Sequence, residues 1–380
     1  LAPFGISLFL HFNCFEFRLK LFTSSRAKLP TFRNIMSAKS NVLLVGSGGV
    51  GTMAGYNLEA GGLAIVSSVL RSNYEAVKQN GFTITSLDHG FVKGWRPSHI
   101  LTSIPNVAKE GLRSFDFIVV ATKNIADIHP IVAEIIAPAV TPGYTTIMLL
   151  QNGLNIEKPL LAAFPTNAVL SGVSLIGATE TQPGSILHDD RDRLIVGAFE
   201  NHDIPRSTNI AAAEKFVEIY NASGKVQCTY EEDVGLVRWR KLIYNASYNP
   251  VCAITRMDTA RMRIFKSPID DVIRPIMWEV WHIAKAAGHN LPEDTVETMI
   301  NVDPDNTYFK PSMQQDIEKG NYIEFENIIG EPLREAERLG VPAPGLKIVY
   351  GMCKILQLKV MEQKGVVKLP SKDNPTKPIL

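Results

Sequence analysis

One short stretch of this chain brings together three side chains that could do chemistry as a group. In residues 235–250, GLVRWRKLIYNASYNP, an amine and two amides recur as Lys241, Asn245 and Asn249. Steps of four residues place all three along one face of a helix. Leu236, Trp239, Leu242 and Ile243 cover other directions, so the polar stripe is expected to line a wall that is otherwise packed in. Buried amides need partners, and a small ligand rich in oxygens would supply them. For the two asparagines, a structural polar network inside a helical bundle is the competing reading. An ammonium on such a wall could stabilise charge developing on a substrate oxygen and pass it a proton. Pro250 disfavours α geometry at Asn249, so the helix is expected to end or kink there.

The second signal lies far upstream, where the apolar run NVLLV at 41–45 passes directly into Gly46-Ser47-Gly48-Gly49-Val50-Gly51. A buried strand followed by G-x-G-x-x-G and then a helix is the context in which such glycines hold a dinucleotide. Gly46 would permit the tight turn, Gly48 would let a pyrophosphate approach the backbone, and Gly51 would let helix pack on strand. The helix N-terminus adds free N–H groups for the anion. A second apolar strand, 63–70, ends at Arg71, twenty residues past Gly51. An acid at that point holds the ribose 2′-hydroxyl of NAD, whereas an Arg accommodates the 2′-phosphate of NADP. Arg71 therefore points to NADP, with an ordinary surface arginine as the alternative.

Further elements place other candidates at strand ends, where open α/β sheets bind ligands. A buried strand over 115–121 leads to Lys123, and one over 145–150 leads to Gln151-Asn152-Gly153. Lys123 could meet cofactor phosphate or ribose, or be a solvated loop lysine. Asn152 could bond nicotinamide or substrate, or merely serve the Asn-Gly turn. Strands or hairpins are also expected at 82–86, 90–95, 168–177, 193–197 and 224–229, and helices at 126–137 and 210–220. From residue 231 the patterns are helical. The expected organisation is an α/β chain with a Rossmann-type NADP-binding domain over 37–232 and an all-helical domain over 233–365. The long helix over 269–287, with Ile276, Met277, Trp278 and Trp281, is expected to supply core or a homodimer interface.

Bulk properties narrow the partners. A formal net charge of +1 over 380 residues, with no basic stretch interleaved with aromatics, argues against nucleic acid. The apolar run at 6–17 is short and interrupted, so no membrane span is expected. Cys14, Cys228, Cys252 and Cys353 lack paired metal-ligand spacing, so no metal site is expected and a reducing compartment is the simpler inference. Residues 1–36 are basic and unlike the rest. They are expected to be a leader or disordered extension ahead of Met36, with a mitochondrial transit segment as the alternative to a cytoplasmic protein. Residues 366–380 are expected to form a loose tail.

The chain resembles the ketopantoate (2-dehydropantoate 2-) reductase family over most of residues 41–350. The resemblance rests on GSGGVG at 46–51, the strand leading to Lys123, QNG at 151–153, RWRKLIYNASYNP at 238–250, KPSMQQDIEKG at 310–320 and EFENIIGE at 324–331. It implies NADPH-dependent reduction of 2-dehydropantoate to (R)-pantoate in pantothenate and coenzyme A biosynthesis, with a small keto acid as partner. It further implies Lys241 as general acid, with Asn152, Asn245, Asn249 and Ser312 binding substrate. Arg71, Lys123, Asn152, Ala178 and Glu324 would stand at cofactor positions beside the glycine loop. The stretch Met257-Asp258-Thr259-Ala260-Arg261 replaces the family's Asn-Gly turn, leaving one substrate contact in doubt. A related reductase of another keto acid, or a non-catalytic NADP(H)-binding regulator, are the alternatives.

Overall fold

The structure is a computed structural model that describes residues 38–304, 306–367 and 369–370. The expected leader over 1–36, and the expected tail beyond residue 370, lie outside these residues.

The sheet-bearing half runs β1 (Ser40–Val45), α1 (Gly49–Ala60), β2 (Ala64–Val69), α2 (Tyr74–Asn80), β3 (Phe82–Ser86), β4 (Gly90–Trp95), β5 (His99–Leu101), α3 (Val107–Glu110), β6 (Phe117–Val120), α4 (Val132–Ile136), β7 (Thr146–Leu149), α5 (Lys158–Ala163), β8 (Val169–Gln182), β9 (Ser185–Ala198), α6 (Arg206–Asn221) and β10 (Gln227–Tyr230). The helical half follows as α7 (Val234–Asn245), α8 (Tyr248–Thr255), α9 (Thr259–Phe265), α10 (Arg274–Ala286), α11 (Thr295–Ile300), α12 (Ser312–Glu318), α13 (Glu331–Leu339) and α14 (Pro344–Gln363). No strand follows Tyr230 among the described residues.

Apolar runs in β1 and β6 are buried on both faces, as parallel strands covered by helices must be. Val42 and Leu44 enter one core cluster with Phe117 and Val119, while Leu43 and Val45 enter another with Ile118 and Val120. The order β8-β7-β6-β1-β2-β5 is the doubly wound arrangement, and these strands pair in parallel. The order reverses between β1 and β6, so the ligand crevice lies at their carboxyl ends. Beyond β8 the sheet continues through an antiparallel hairpin of two fourteen-residue strands, β8 and β9.

Two expected helices differ from the structure. The one read over 126–137 begins only at Val132 and continues as a 3₁₀ turn, Ala137–Ala139. Pro130 removes a backbone donor and biases His129 away from α geometry. The one read over 235–250 is two helices, with Ala246 and Ser247 between them. The Ser247 hydroxyl donates to the carbonyl of Ile243 at 2.7 Å, competing for a terminal acceptor of α7. Pro250 therefore falls in the first turn of α8, where its missing donor is harmless. The kink precedes Asn249 instead of sitting on it.

Trp239, Leu242 and Ile243 of α7 share the helical core with Ile276, Met277, Val280 and Trp281 of α10, and Trp278 packs partly against it. The long helix expected over 269–287 thus supplies core, entered through a π turn at Ile269–Ile273. No helix of the described residues is long and apolar enough to cross a membrane.

Candidate active site

The glycine loop stands at the crevice. Gly46 has φ +102°, a left-handed conformation favouring glycine, and a Cβ there would lie 2.6 Å from the Thr122 amide nitrogen. A Cβ on Gly51 would run into the Gly46 carbonyl oxygen, so close passage of α1 over the turn depends on hydrogen at both positions. Gly48, the residue preceding α1, faces open space, and no side chain caps the helix. Its N–H groups are free for an anion. The loop is braced from behind: Ser47 shares a 2.6 Å hydroxyl contact with Ser68, and Asn73 donates to the Ser47 carbonyl at 2.8 Å and to Glu180 at 2.9 Å. Above it, the backbone of Ala178 in β8 packs against Gly49. Arg71 follows β2 and is exposed.

Facing this crevice from α7, Lys241 donates from Nζ to Asn152 Oδ1 at 2.8 Å and to the Ser174 carbonyl of β8 at 2.6 Å. Burial lowers the Lys241 amine to about 8. Arg238 and Lys123 push the same way, and Glu324 opposes them. Asn152, Lys241 and Asn245 line one small recess with Gln151, Gly153, Gly172, Val173, Arg238 and Leu242. Arg238 is buried one turn before Lys241, and its fork grips both the 151–153 turn and Ser171.

A second polar group joins the end of β6 to the helical half. Lys123 Nζ lies 2.8 Å from Asp316 on α12 and 3.5 Å from Glu324. Burial alone would lower its amine, but the two carboxylates outweigh this and raise it. Glu324, 4% exposed, accepts the Asn124 amide N–H at 2.8 Å. Its carboxyl is raised by burial, against the pull of Lys123 and that amide. Asn327, in the π turn Glu326–Gly330, accepts from the Asn124 side chain at 3.1 Å and bonds Leu154 through both main-chain and side-chain groups.

Comparison with known proteins yields two matching family models. One, described as ketopantoate reductase PanE/ApbA, matches residues 42–201, and its C-terminal counterpart matches 233–357. The chain belongs to the ketopantoate reductase family. Among its relatives, an uncharacterized Saccharomyces cerevisiae protein, YDL144C, is 38% identical, over 88% of this chain and 98% of that one. A Nostoc protein named 2-dehydropantoate 2-reductase is 26% identical, over 82% of this chain and 94% of its own. The crystal structure of 2-dehydropantoate 2-reductase from Methylococcus capsulatus superposes with TM-score 0.71 at 32% identity, covering 84% of this chain and 97% of the other.

Ketopantoate reductases bind a nicotinamide dinucleotide, and the residues here fit one: Gly48 leaves room beside the uncapped start of α1, and the crevice lies at the strand-order reversal. The structure brings Asn152, Lys241 and Asn245 into one recess, with Glu324 near enough to act on the lysine. Asn249 and Ser312 do not line that recess. Asn249 is buried in α8, and Ser312 opens α12, which packs against α8. Lys123 is occupied by carboxylates of the helical half. Sequence reasoning passed over Arg238, Asp316 and Asn327. Each sits one turn from a residue it did select, at three residues before Lys241, four after Ser312 and three after Glu324, and that helical spacing was the available signal.

Proposed function

We propose that this protein is a 2-dehydropantoate 2-reductase, reducing the 2-oxo group of ketopantoate to the hydroxyl of (R)-pantoate with NADPH. A reduced nicotinamide dinucleotide, which the glycine loop Gly46–Gly51 would hold by its pyrophosphate, would supply hydride for the 2-oxo carbon. As it arrives, the carbonyl oxygen becomes an alkoxide, and the Lys241 ammonium stabilises that charge and gives up one proton, so carbonyl becomes hydroxyl and lysine becomes neutral amine. Asn152 orients the lysine, and Asn245, which lines the same recess, would hold the substrate's carboxylate or hydroxyl. The observation that carries this reading is the lysine itself, an amine lowered to about 8 and aimed at Asn152 in the recess. Exposed Arg71 beyond β2 supports the 2′-phosphate of NADP over NAD.

The test is oxidation of NADPH by the full chain with ketopantoate, repeated with NADH. Robust turnover only with NADPH is expected. NADPH binding without oxidation across a panel of keto acids would turn the reading toward a regulator.

A second reading, reduction of another keto acid, is favoured by residues 257–261. Asp258 is buried and spent locally, capping α9 by accepting the Arg261 amide at 2.9 Å and pairing with the Arg261 guanidinium. A substrate panel decides: a much higher kcat/KM for another keto acid would replace ketopantoate.

A further inference from the structure

Arg238 is 5% exposed, yet all four of its hydrogen bonds go to neutral oxygens. Nη1 donates to the carbonyls of Gln151 at 3.0 Å and Gly153 at 2.8 Å. Nε and Nη2 donate to the Ser171 hydroxyl at 3.2 and 2.8 Å. Burial lowers the guanidinium to about 10, with Glu157 opposing. Burying a charge whose hydrogen bonds all go to neutral acceptors is costly, because those acceptors return less than the hydration that is lost. The four bonds hold the local structure together, but they do not by themselves require a charged donor.

Its position gives a reason for an arginine. The two carbonyls it grips flank Asn152 in the chain, and Asn152 accepts from Lys241. The opposite side of the same turn is held by Asn327: the Leu154 amide donates to its carbonyl at 2.7 Å, and a Cβ on Gly153, at φ +99°, would lie 2.6 Å from its Cβ. The turn is thus clamped between α7 and the π turn. We propose that Arg238 is a positioning residue, whose planar fork ties the 151–153 turn to β8 and so fixes where the Asn152 amide meets the Lys241 amine. A lysine could not span both carbonyls and the hydroxyl, because it presents a point charge instead of a fork. The proposal rests on the reading of Lys241 as proton donor. Its charge adds a second effect. The charged groups facing Lys241 are Arg238 from its own helix, Lys123 from the end of β6 and Glu324 from the segment before the π turn. Removing Arg238 takes away a cation that favours the neutral amine.

The experiment compares full-length wild type with Arg238→Met, Arg238→Gln, Arg238→Lys and Lys241→Ala. It measures kcat with ketopantoate, NADPH affinity, thermal midpoint and the titration of Lys241, followed by 13Cε-lysine NMR with the signal assigned by its loss in Lys241→Ala. Arg238→Met and Arg238→Gln should lower kcat about 100-fold, the scale of a misplaced catalytic group. They should leave NADPH affinity within about threefold and move the Lys241 titration up by about half a pH unit or more. Arg238→Lys should keep the titration near its wild-type value and still lose about tenfold or more in kcat, which separates fork from charge. Variants that shift only the thermal midpoint, with kcat and titration unchanged, would overturn the proposal, and the Gln and Lys variants decide if Met fails to fold. If ketopantoate is not turned over, an unmoved titration in Arg238→Met and Arg238→Gln is enough to overturn it. Near-normal turnover in Lys241→Ala removes the donor reading instead. An inactive Lys241→Ala beside unaffected Arg238 variants removes only the role of Arg238.

Discussion

The Lys241 amine and the Asn152 amide oxygen, 89 residues apart in the chain, meet at 2.8 Å. The contact joins the first helix of the helical half to the turn after β7, so an amine from one half is presented over the crevice of the other.

Removing the amine should reveal its role as donor. Lys241→Ala is expected to lower kcat by about 10²–10⁴, the usual worth of a positioned general acid. NADPH affinity should change little, because the glycine loop and Arg71 stand apart from the recess. Steady-state kinetics beside a fluorescence titration of NADPH would check both, and near-normal turnover would remove Lys241 from this role.

The lowered amine also sets a pH dependence. Reduction needs Lys241 charged, and its value of about 8 means the charged form predominates below that pH and is lost above it. Reductive kcat/KM should therefore fall as pH rises through about 8, while oxidation of pantoate, which needs the neutral amine as base, should rise over the same range. A reductive profile flat from about pH 7 to about pH 10 would contradict this assignment.

Cofactor choice should depend on Arg71. Arg71→Ala is expected to weaken NADPH about tenfold, equivalent to about 1.4 kcal/mol, and to leave NADH nearly unchanged. Equal losses for both nucleotides would argue against contact with the 2′-phosphate.

Glu324→Ala should destabilise the fold. The change leaves the buried Asn124 amide without its acceptor and Lys123 with Asp316 alone, a loss of about 1–3 kcal/mol. Glu324→Gln keeps an acceptor and should lose less. Urea unfolding would show the difference, and equal stabilities for the two variants would refute the argument.

Gly51→Ala drives a methyl into the Gly46 carbonyl. Overpacking of this kind costs about 1–3 kcal/mol and shifts backbone, so both unfolding midpoint and NADPH affinity should drop. A variant binding NADPH like wild type would mean that α1 can retreat without disturbing the turn.

The sheet was legible because its signals are local. NVLLV before the glycines, FDFIVVA and TTIMLL are apolar runs of strand length, and each appears in the structure within one or two residues of its expected bounds. The helix read over 126–137 failed at Pro130, where a local breaker overrode a permissive composition. The α7–α8 break was missed because Ser247, an unremarkable residue in the pattern, turns its hydroxyl back onto Ile243. In the site, Lys241 and Asn152 could be selected by type and position. Arg238 offered only its place one turn before Lys241, since a basic residue on a helix usually lies on a solvated face and the carbonyls around it come from elements distant in the chain. The engagement of Lys123 by Asp316 and Glu324 likewise joins residues about two hundred positions apart, which no periodicity reports.

One strand measures out the crevice. Along β8, Ser171 meets Arg238, the Ser174 carbonyl meets Lys241, and Ala178 lies on Gly49. From Ser174 to Ala178 is four residues, or about 13 Å of extended chain at roughly 3.3 Å each, shortened wherever the irregular pairing near Gly177 puckers it. Covalent geometry thus acts as a ruler between the glycine loop and the Lys241 amine. Inserting a single residue there would both lengthen the ruler and reverse which face each later side chain presents.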